Sequence, residues 1–106
     1  MNDHTLAGRT LRWTFEGGPT AGKTYEHVFG DETVTFREAG GSDSKDKPKY
    51  SSFEIAPSTH LVSYLSPESG FTLTIAVNFE TGRIYGFASN DKQWFPVYGT
   101  NESSRA

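Results

Sequence analysis

The apolar side chains of this chain recur at every second position. Within residues 10–15, Leu11, Trp13 and Phe15 alternate with polar residues, and residues 71–79 alternate in the same way. A period of two that is rich in aromatic and β-branched residues is typical of strands with one buried face. No segment shows the 3.6-residue period of an amphipathic helix. The pattern therefore predicts an all-β protein.

Eight such segments, separated by turn residues, are predicted to be strands. They cover residues 10–15, 23–29, 33–37, 50–55, 60–66, 71–79, 83–88 and 93–100. Most connections are short, which favours antiparallel pairing of sequential strands, and closure of the sheet removes its unpaired edges. The predicted architecture is an eight-stranded antiparallel up-and-down β-barrel. Such a barrel is wide enough to be filled by side chains or to hold one small ligand.

Two segments lack the alternation. Residues 39–49 are rich in Gly, Ser, Asp and Lys and are predicted to form a flexible surface loop. Residues 101–106 are polar and are predicted to form a frayed tail. The length of 106 residues suits one domain with one modest core, predicted to span residues 1–106.

The composition and charge of the chain disfavour nucleic-acid and membrane partners. The net charge of -3 is scattered along the chain, without the basic footprint expected of a nucleic-acid-binding protein. There is no cysteine, which excludes disulfides and thiolate sites. No apolar run approaches the roughly 20 residues that span a bilayer, and no secretory signal is visible. A cytoplasmic protein with no membrane partner is predicted.

Residues 17–24 match the phosphate-binding pattern G-x-x-x-x-G-K-[ST]. That pattern requires a helix to begin at its Lys-Thr pair, so that the helix N-terminus meets the phosphate. Residues 24–29 instead alternate in polarity and contain Tyr, His, Val and Phe, which are weak helix formers. The segment is therefore predicted to be a hairpin loop between the first two strands, and nucleotide hydrolysis is disfavoured.

The histidines are the main candidates for chemistry. His4, His27 and His60 have no second ligand at metal-binding spacing, so no metal or other cofactor is predicted. His27 shares a strand face with Tyr25 and Phe29. It is therefore either a structural histidine or a group that points into the barrel, as an acid, a base or a hydrogen-bond partner.

Other charged residues near the aromatic strands are expected on the outer face. Ionised carboxylates are seldom buried without a partner, so Glu16 and Glu54 are predicted to be solvated. Arg37 follows an alternating apolar pair and is predicted to point outward.

Several short segments of the sequence resemble segments of known protein families. They are Gly-Lys-Thr-Tyr-Glu-His at 22–27, Thr-Val-Thr-Phe-Arg at 33–37 and Val-Asn-Phe-Glu-Thr-Gly at 77–82. Their spacing resembles that of the MoaF-like proteins, a group named for a molybdenum-cofactor biosynthesis protein. Residues 13–18 and 62–67 resemble the phenolic acid decarboxylases. Both groups have the lipocalin-like (calycin) barrel, so the resemblance implies that fold for about residues 6–100.

The resemblance to the decarboxylases also implies pocket residues, most of which this chain lacks. The two substrate-binding tyrosines of that family correspond to Trp13 and Phe15, and its catalytic glutamate corresponds to Ser66. No arginine occupies the polar loop where that family has its active-site arginine. Tyr25 alone matches a pocket tyrosine, so decarboxylation is not expected.

The sequence thus predicts a barrel that binds one small, largely apolar or aromatic molecule. The predicted wall residues are Trp13, Phe15, Ile75 and Val77, and the predicted polar contacts are Tyr25, His27, Tyr64 and Ser66. Two alternatives stay open. One is a lyase or isomerase of small aromatic acids that uses Tyr25 and His27 as acid and base. The other is a dimerisation module with a filled barrel. A homodimer is plausible for this fold group.

Overall fold

The computed structural model describes residues 6–18, 20–41, 47–67 and 69–105. Eight β-strands are present, and no helix occurs among these residues. The strands are β1 (Arg9–Gly17), β2 (Thr24–Phe29), β3 (Val34–Glu38), β4 (Tyr50–Ala56), β5 (Thr59–Leu65), β6 (Thr72–Asn78), β7 (Arg83–Ser89) and β8 (Trp94–Arg105). All eight predicted strands are observed, and their ends differ from the prediction by at most two residues, except at the C-terminal end of β8.

All eight strands belong to one antiparallel sheet in the order β3-β2-β1-β8-β7-β6-β5-β4. Strands β3 and β4 form its two edges, and β1 pairs with β8. The sheet curls until these edges meet at one end, where Thr33 and Lys49 form a β-bridge. At the same place the Tyr50 amide donates to the Glu32 carbonyl at 3.1 Å. This curled half-barrel confirms the predicted antiparallel meander of eight strands.

The alternation in the sequence gives the sheet its buried inner face. Trp13 of β1 lies opposite Tyr25 of β2 and opposite Asn101 of β8, so inward-facing positions are aligned across the strands. Burial of apolar surface contributes about 25 cal/mol per Å² and favours the curled form of the sheet. The largest fully buried side chains are Trp13, Phe29, Leu6, Leu11, Ile75, Ile84, His27, Val34, Val62 and Val77.

The C-terminal segment is ordered, and the prediction of a frayed tail over residues 101–106 was wrong. Residues 101–105 continue β8 and pair with β1 as far as Arg9. The indole Nε1 of Trp13 donates to Oδ1 of Asn101 at 3.1 Å. The physical reason is that β1 would otherwise leave a row of unpaired backbone groups on this side. Ala106 lies outside the described residues.

The connection between β1 and β2 is a hairpin loop, as predicted. Thr24 is the first residue of β2, so no helix begins at the Lys-Thr pair. The Phe15 amide donates to the Lys23 carbonyl at 3.0 Å, and the Gly22 amide donates to the Phe15 carbonyl at 2.8 Å. Gly22 has a φ of 87°, a conformation that glycine adopts at no steric cost. The phosphate-loop pattern therefore lies in a β-hairpin.

The predicted flexible loop at 39–49 is described only at its two ends. Residues 42–46 lie outside the described residues, so its flexibility stays a prediction. At the C-terminal end of the loop, the Pro48 carbonyl accepts a hydrogen bond from the Val34 amide at 3.0 Å. This bond helps to hold the start of β4 against β3.

The outer face carries two of the three charged residues that the sequence placed there, Glu16 and Arg37. Arg37 donates to Oε1 of Glu26 from Nε at 2.9 Å and from Nη2 at 2.7 Å. Arg83 donates to the two carboxylate oxygens of Glu16 at 3.0 and 3.3 Å. Since exposed ion pairs contribute about 0–1 kcal/mol each, these two pairs stabilise the fold only slightly. Glu54 is exposed as predicted, but it lies opposite the buried His60 in the register of β4 and β5, so the prediction that it faces outward was wrong.

Candidate functional site

A cavity of about 720 Å³ lies on the inner face of the curled sheet. Its walls come from seven of the eight strands and from the loops at one end of the barrel, and aromatic rings dominate them. The lining residues are Phe15, Thr20, Tyr25, His27, Phe36, Tyr64, Ser66, Ser69, Phe71, Leu73, Ala88, Gln93, Phe95 and Val97. Ser69 and Gln93 are exposed, which places the mouth of the cavity near these loop residues.

A hydrogen bond crosses the interior beside this cavity. Nε2 of His27 lies 2.7 Å from the hydroxyl of Tyr64. His27 belongs to β2 and Tyr64 to β5, and these strands are not neighbours in the sheet. The pair therefore joins two distant walls through side chains alone. Both residues are buried, with 1% and 6% of their surfaces exposed.

Aromatic rings enclose the imidazole of His27. The ring centroid of Trp13 is 4.3 Å from that of His27, and the rings of Phe36 and Phe29 are stacked on it at 5.8 and 6.1 Å. Alternation places His27 and Phe29 on the same inward face of β2, and Phe36 lies directly opposite His27 on β3. The imidazole is therefore held in one orientation by packing, with its Nε2 directed to Tyr64.

Burial controls the protonation of both members of this pair. Desolvation lowers the pKa of His27 from 6.5 to about 3, and the opposing effect of the Tyr25 backbone is smaller. Nδ1 of His27 is buried without a well-formed hydrogen bond to the described part of the chain. Desolvation also raises the pKa of Tyr64, and nearby Tyr25 adds to this rise. At neutral pH both side chains are therefore uncharged.

Further polar groups lie towards the cavity mouth. The buried Ser66 accepts a hydrogen bond from the Ser69 amide through its Oγ at 3.4 Å. The Ser66 hydroxyl can still donate a hydrogen bond, since this contact uses it only as an acceptor. The side chains of Thr20 and Gln93 also line the cavity. These groups are neutral and can orient a polar atom without adding charge.

Of the eight predicted site residues, the structure brings five together around the cavity. Phe15, Tyr25, His27, Tyr64 and Ser66 all line it. Trp13, Ile75 and Val77 point inward and are fully buried, but they do not line the cavity. Alternation predicts which face a residue occupies, and these three belong to the part of the interior that side chains fill completely.

Several lining residues were missed by the sequence analysis. Phe36 and Val97 follow the same inward alternation as the predicted residues, so this pattern was the signal that could have found them. Phe71 also follows the alternation predicted for residues 71–79, although it lies just before β6 in the structure, and its ring centroid is 6.1 Å from that of Phe95.

The described residues hold no cluster of three or more His, Asp or Glu side chains suited to a metal ion. His60 is buried on the inner face of β5, with its ring centroid 5.5 Å from that of Phe79. It does not line the cavity. His4 lies outside the described residues.

These features define a class of protein: a curled eight-stranded antiparallel β-barrel with an internal aromatic cavity. A family model described as the MoaF N-terminal domain matches residues 2–92. The chain belongs to this family, which confirms the resemblance seen in its short motifs. The matched region includes β1 to β7 and ends just before β8.

A solved structure shares the fold. The crystal structure described as "a putative beta-lactamase from Burkholderia vietnamiensis" matches with a TM-score of 0.77 and 13% sequence identity, covering 98% of this chain and 100% of that one. At this identity the likeness shows the fold alone. None of the curated proteins compared with the chain matches it. Among the described residues, no helix has the length and apolar character needed to cross a membrane.

Proposed function

We propose that this protein is a small-molecule-binding barrel of the MoaF group whose ligand is largely apolar or aromatic. The observation that carries the proposal is the cavity of about 720 Å³ with its aromatic walls. Cavities of about 300–1,000 Å³ with apolar linings and a few convergent polar groups are typical of ligand sites. The predicted cytoplasmic location is kept as part of this proposal.

The two alternatives receive less support from the same cavity. A dimerisation module with a filled barrel would have no space of this size inside. A lyase or isomerase would need His27 as a proton carrier, and such a group works best with a pKa near the operating pH. Because burial lowers the pKa of His27 to about 3, the imidazole is poorly suited to that role at neutral pH.

Thermal unfolding with a panel of one- and two-ring aromatic compounds tests the proposal. We expect at least one compound to raise the Tm, because a ligand that binds only the folded state stabilises it. At a hundred times its Kd the gain is about 2.7 kcal/mol, which corresponds to roughly 10 °C for a chain of this length. A panel without any shift, checked by ligand-observed NMR, would contradict the proposal.

A cavity-filling variant locates the binding. Ala88→Phe places a ring in the cavity and is expected to abolish the Tm shift while the far-UV circular dichroism stays that of a β-protein. Ala56→Phe is the matched control, because Ala56 is exposed at the end of β4. It should bind the same compounds as the wild type. Unchanged binding by Ala88→Phe would place the ligand elsewhere.

A further inference from the structure

The described residues that line the cavity carry no acidic or basic side chain other than His27: none of them is Lys, Arg, Asp or Glu. The charged residues of the neighbouring strands are paired on the outer face instead, as Arg37 is with Glu26. The one lining residue that could become a cation, His27, stays neutral at pH 7 because it is buried. A bound anion would therefore have no counter-charge among these residues.

The cost of burying an unpaired anion is large. An ionised carboxylate moved from water into a protein interior loses several kcal/mol of solvation, which only an opposite charge or several hydrogen bonds can restore. A neutral amide or hydroxyl loses much less and recovers most of it with one or two hydrogen bonds. The cavity therefore discriminates between molecules of equal shape by their charge.

One polar contact is well placed for a neutral ligand. Tyr64 lines the cavity, and its hydroxyl shares one hydrogen bond with His27 at 2.7 Å. A phenol can donate one hydrogen bond and accept others, so Tyr64 keeps a donor or an acceptor for a ligand, whichever the His27 bond does not use. The packed imidazole fixes the direction of this hydroxyl.

We infer that the cavity binds an uncharged aromatic molecule that carries one hydrogen-bonding group, held by Tyr64, and that it rejects the corresponding carboxylate. This inference rests on the proposed function. It assigns the ligand class as aromatic amides, alcohols or ketones rather than aromatic acids.

The test compares 2-naphthamide with 2-naphthoate, which have nearly the same shape and differ in charge at pH 7. Binding is followed by tryptophan fluorescence and ligand-observed NMR between pH 5 and pH 7. The Kd of 2-naphthamide is expected to be constant over this range. The apparent Kd of 2-naphthoate is expected to rise about tenfold per pH unit, because only its protonated form binds and its carboxyl has an ordinary pKa of about 4.

A variant pair tests the role of Tyr64. Tyr64→Phe is expected to weaken 2-naphthamide binding about 3- to 10-fold, the value of one hydrogen bond, and to leave naphthalene binding unchanged. Tyr85→Phe is the control, because Tyr85 is exposed on the outer face. Equal weakening of both compounds by Tyr64→Phe would contradict the hydrogen bond.

The outcomes separate the two claims. If 2-naphthoate binds at pH 7 as tightly as 2-naphthamide, the inference of a neutral ligand is overturned while the proposed function stands. If naphthalene and both derivatives fail to bind, the proposed function is overturned and the inference with it. Selective binding of the amide supports both.

A different observation concerns the outside of the barrel. An apolar row crosses the outer face of five strands, in which each residue lies opposite the next: Tyr98, Tyr85, Ala76, Leu61 and Phe53. Beside it, the rings of Phe87 and Trp94 are in contact, with centroids 6.1 Å apart. We call these seven residues the outer aromatic face. Phe53 and Trp94 are 69% and 67% exposed.

The size and charge of this face suit a second copy of the chain. An aromatic side chain has about 150–250 Å² of surface, so its five half-exposed rings present on the order of 600 Å². A standard interface buries about 800 Å² per partner. Leu61, Ala76 and the residues that surround the face can supply the remaining area. None of the seven residues is charged, and Arg83, whose guanidinium lies 5.8 Å from the centroid of the Tyr85 ring, is paired with Glu16, so a twofold-related copy would meet no unpaired charge from these residues.

We propose that two copies of this chain associate through their outer aromatic faces. Sedimentation velocity at 100 µM is expected to give a species of twice the 11.7 kDa chain mass. Phe87→Glu and Tyr85→Lys are each expected to give monomers, because either charge would be buried in two copies at once. Val28→Glu, at an exposed position on β2, is the control and should stay dimeric.

Two results would overturn the dimer. One is a wild-type monomer at 100 µM. The other is a dimer that persists in both Phe87→Glu and Tyr85→Lys, when circular dichroism shows that these variants are folded. Loss of the dimer in the face variants but not in Val28→Glu supports it.

Discussion

Lowering the pH from 6.5 to 3.5 is expected to destabilise the wild type by on the order of 4 kcal/mol more than it destabilises the variant His27→Gln. Burial lowers the pKa of His27 to about 3, whereas the unfolded chain has the ordinary value of 6.5. Below pH 6.5 His27 is protonated in the unfolded state but not in the folded state. The free energy of unfolding therefore falls by about 1.4 kcal/mol for each pH unit. Above pH 6.5 this contribution vanishes, and below about pH 3 the loss is complete.

The measurement is urea unfolding of both proteins at half-unit steps of pH. Carboxylates also titrate between pH 3 and 5, so only the difference between the two proteins reports on His27. Tyr64 packs against this imidazole and is hydrogen-bonded to it, and because burial raises the pKa of Tyr64 its charge does not change in this range. Parallel loss of stability in the two proteins would contradict the prediction. If His27→Gln fails to fold, NMR titration of the His27 ring in the wild type decides the matter, with an ordinary pKa as the opposing result.

Replacing Trp13 by alanine is expected to cost about 3–5 kcal/mol in the free energy of unfolding, the usual loss for a large buried aromatic side chain. The side chain of Trp13 is fully buried and packs against His27 and Phe29. Its indole also joins β1 to β8 through the bond to Asn101. A loss of this size would remove much of the 5–15 kcal/mol that holds a typical domain folded.

Two smaller changes separate the contributions of Trp13. Trp13→Phe keeps a ring in the core and removes the indole N–H, and Asn101→Ala removes the acceptor of the same bond. Asn101→Ala is expected to cost about 1 kcal/mol, the net value of one hydrogen bond. Trp13→Phe should lie between the other two variants. Urea unfolding measures all three, and a cost below 1 kcal/mol for Trp13→Ala would contradict the packing described above.

The fold was predictable because its pattern is local. Alternation within a segment predicts a strand, as it does for β6 over Thr72–Asn78. Short turns between strands favour their antiparallel pairing. The C-terminal end of β8 was not predictable in this way. Residues 101–105 are polar, and their order comes from the backbone groups of β1 that they pair with, which no local pattern records.

The candidate site was predictable only as far as the choice of face. Inward positions were found, but alternation treats Trp13 and Phe15 alike, although the first is packed into the core and the second lines the cavity. That distinction depends on how side chains from all eight strands fill the interior. The bond between His27 and Tyr64 has the same origin, since 37 positions separate its partners and the curl of the sheet brings them together.

The pairing of β1 with β8 has a topological consequence. Arg9 stands opposite Arg105, so the first strand and the last are as closely joined as the two arms of any hairpin in the molecule. The sheet runs without interruption from β3 through β1 and β8 to β4, and the two ends of the described backbone lie side by side at the pairing of β1 with β8. The turns between other neighbouring strands are equivalent places to open the chain, so the strand order of the sheet does not depend on which of these positions is open.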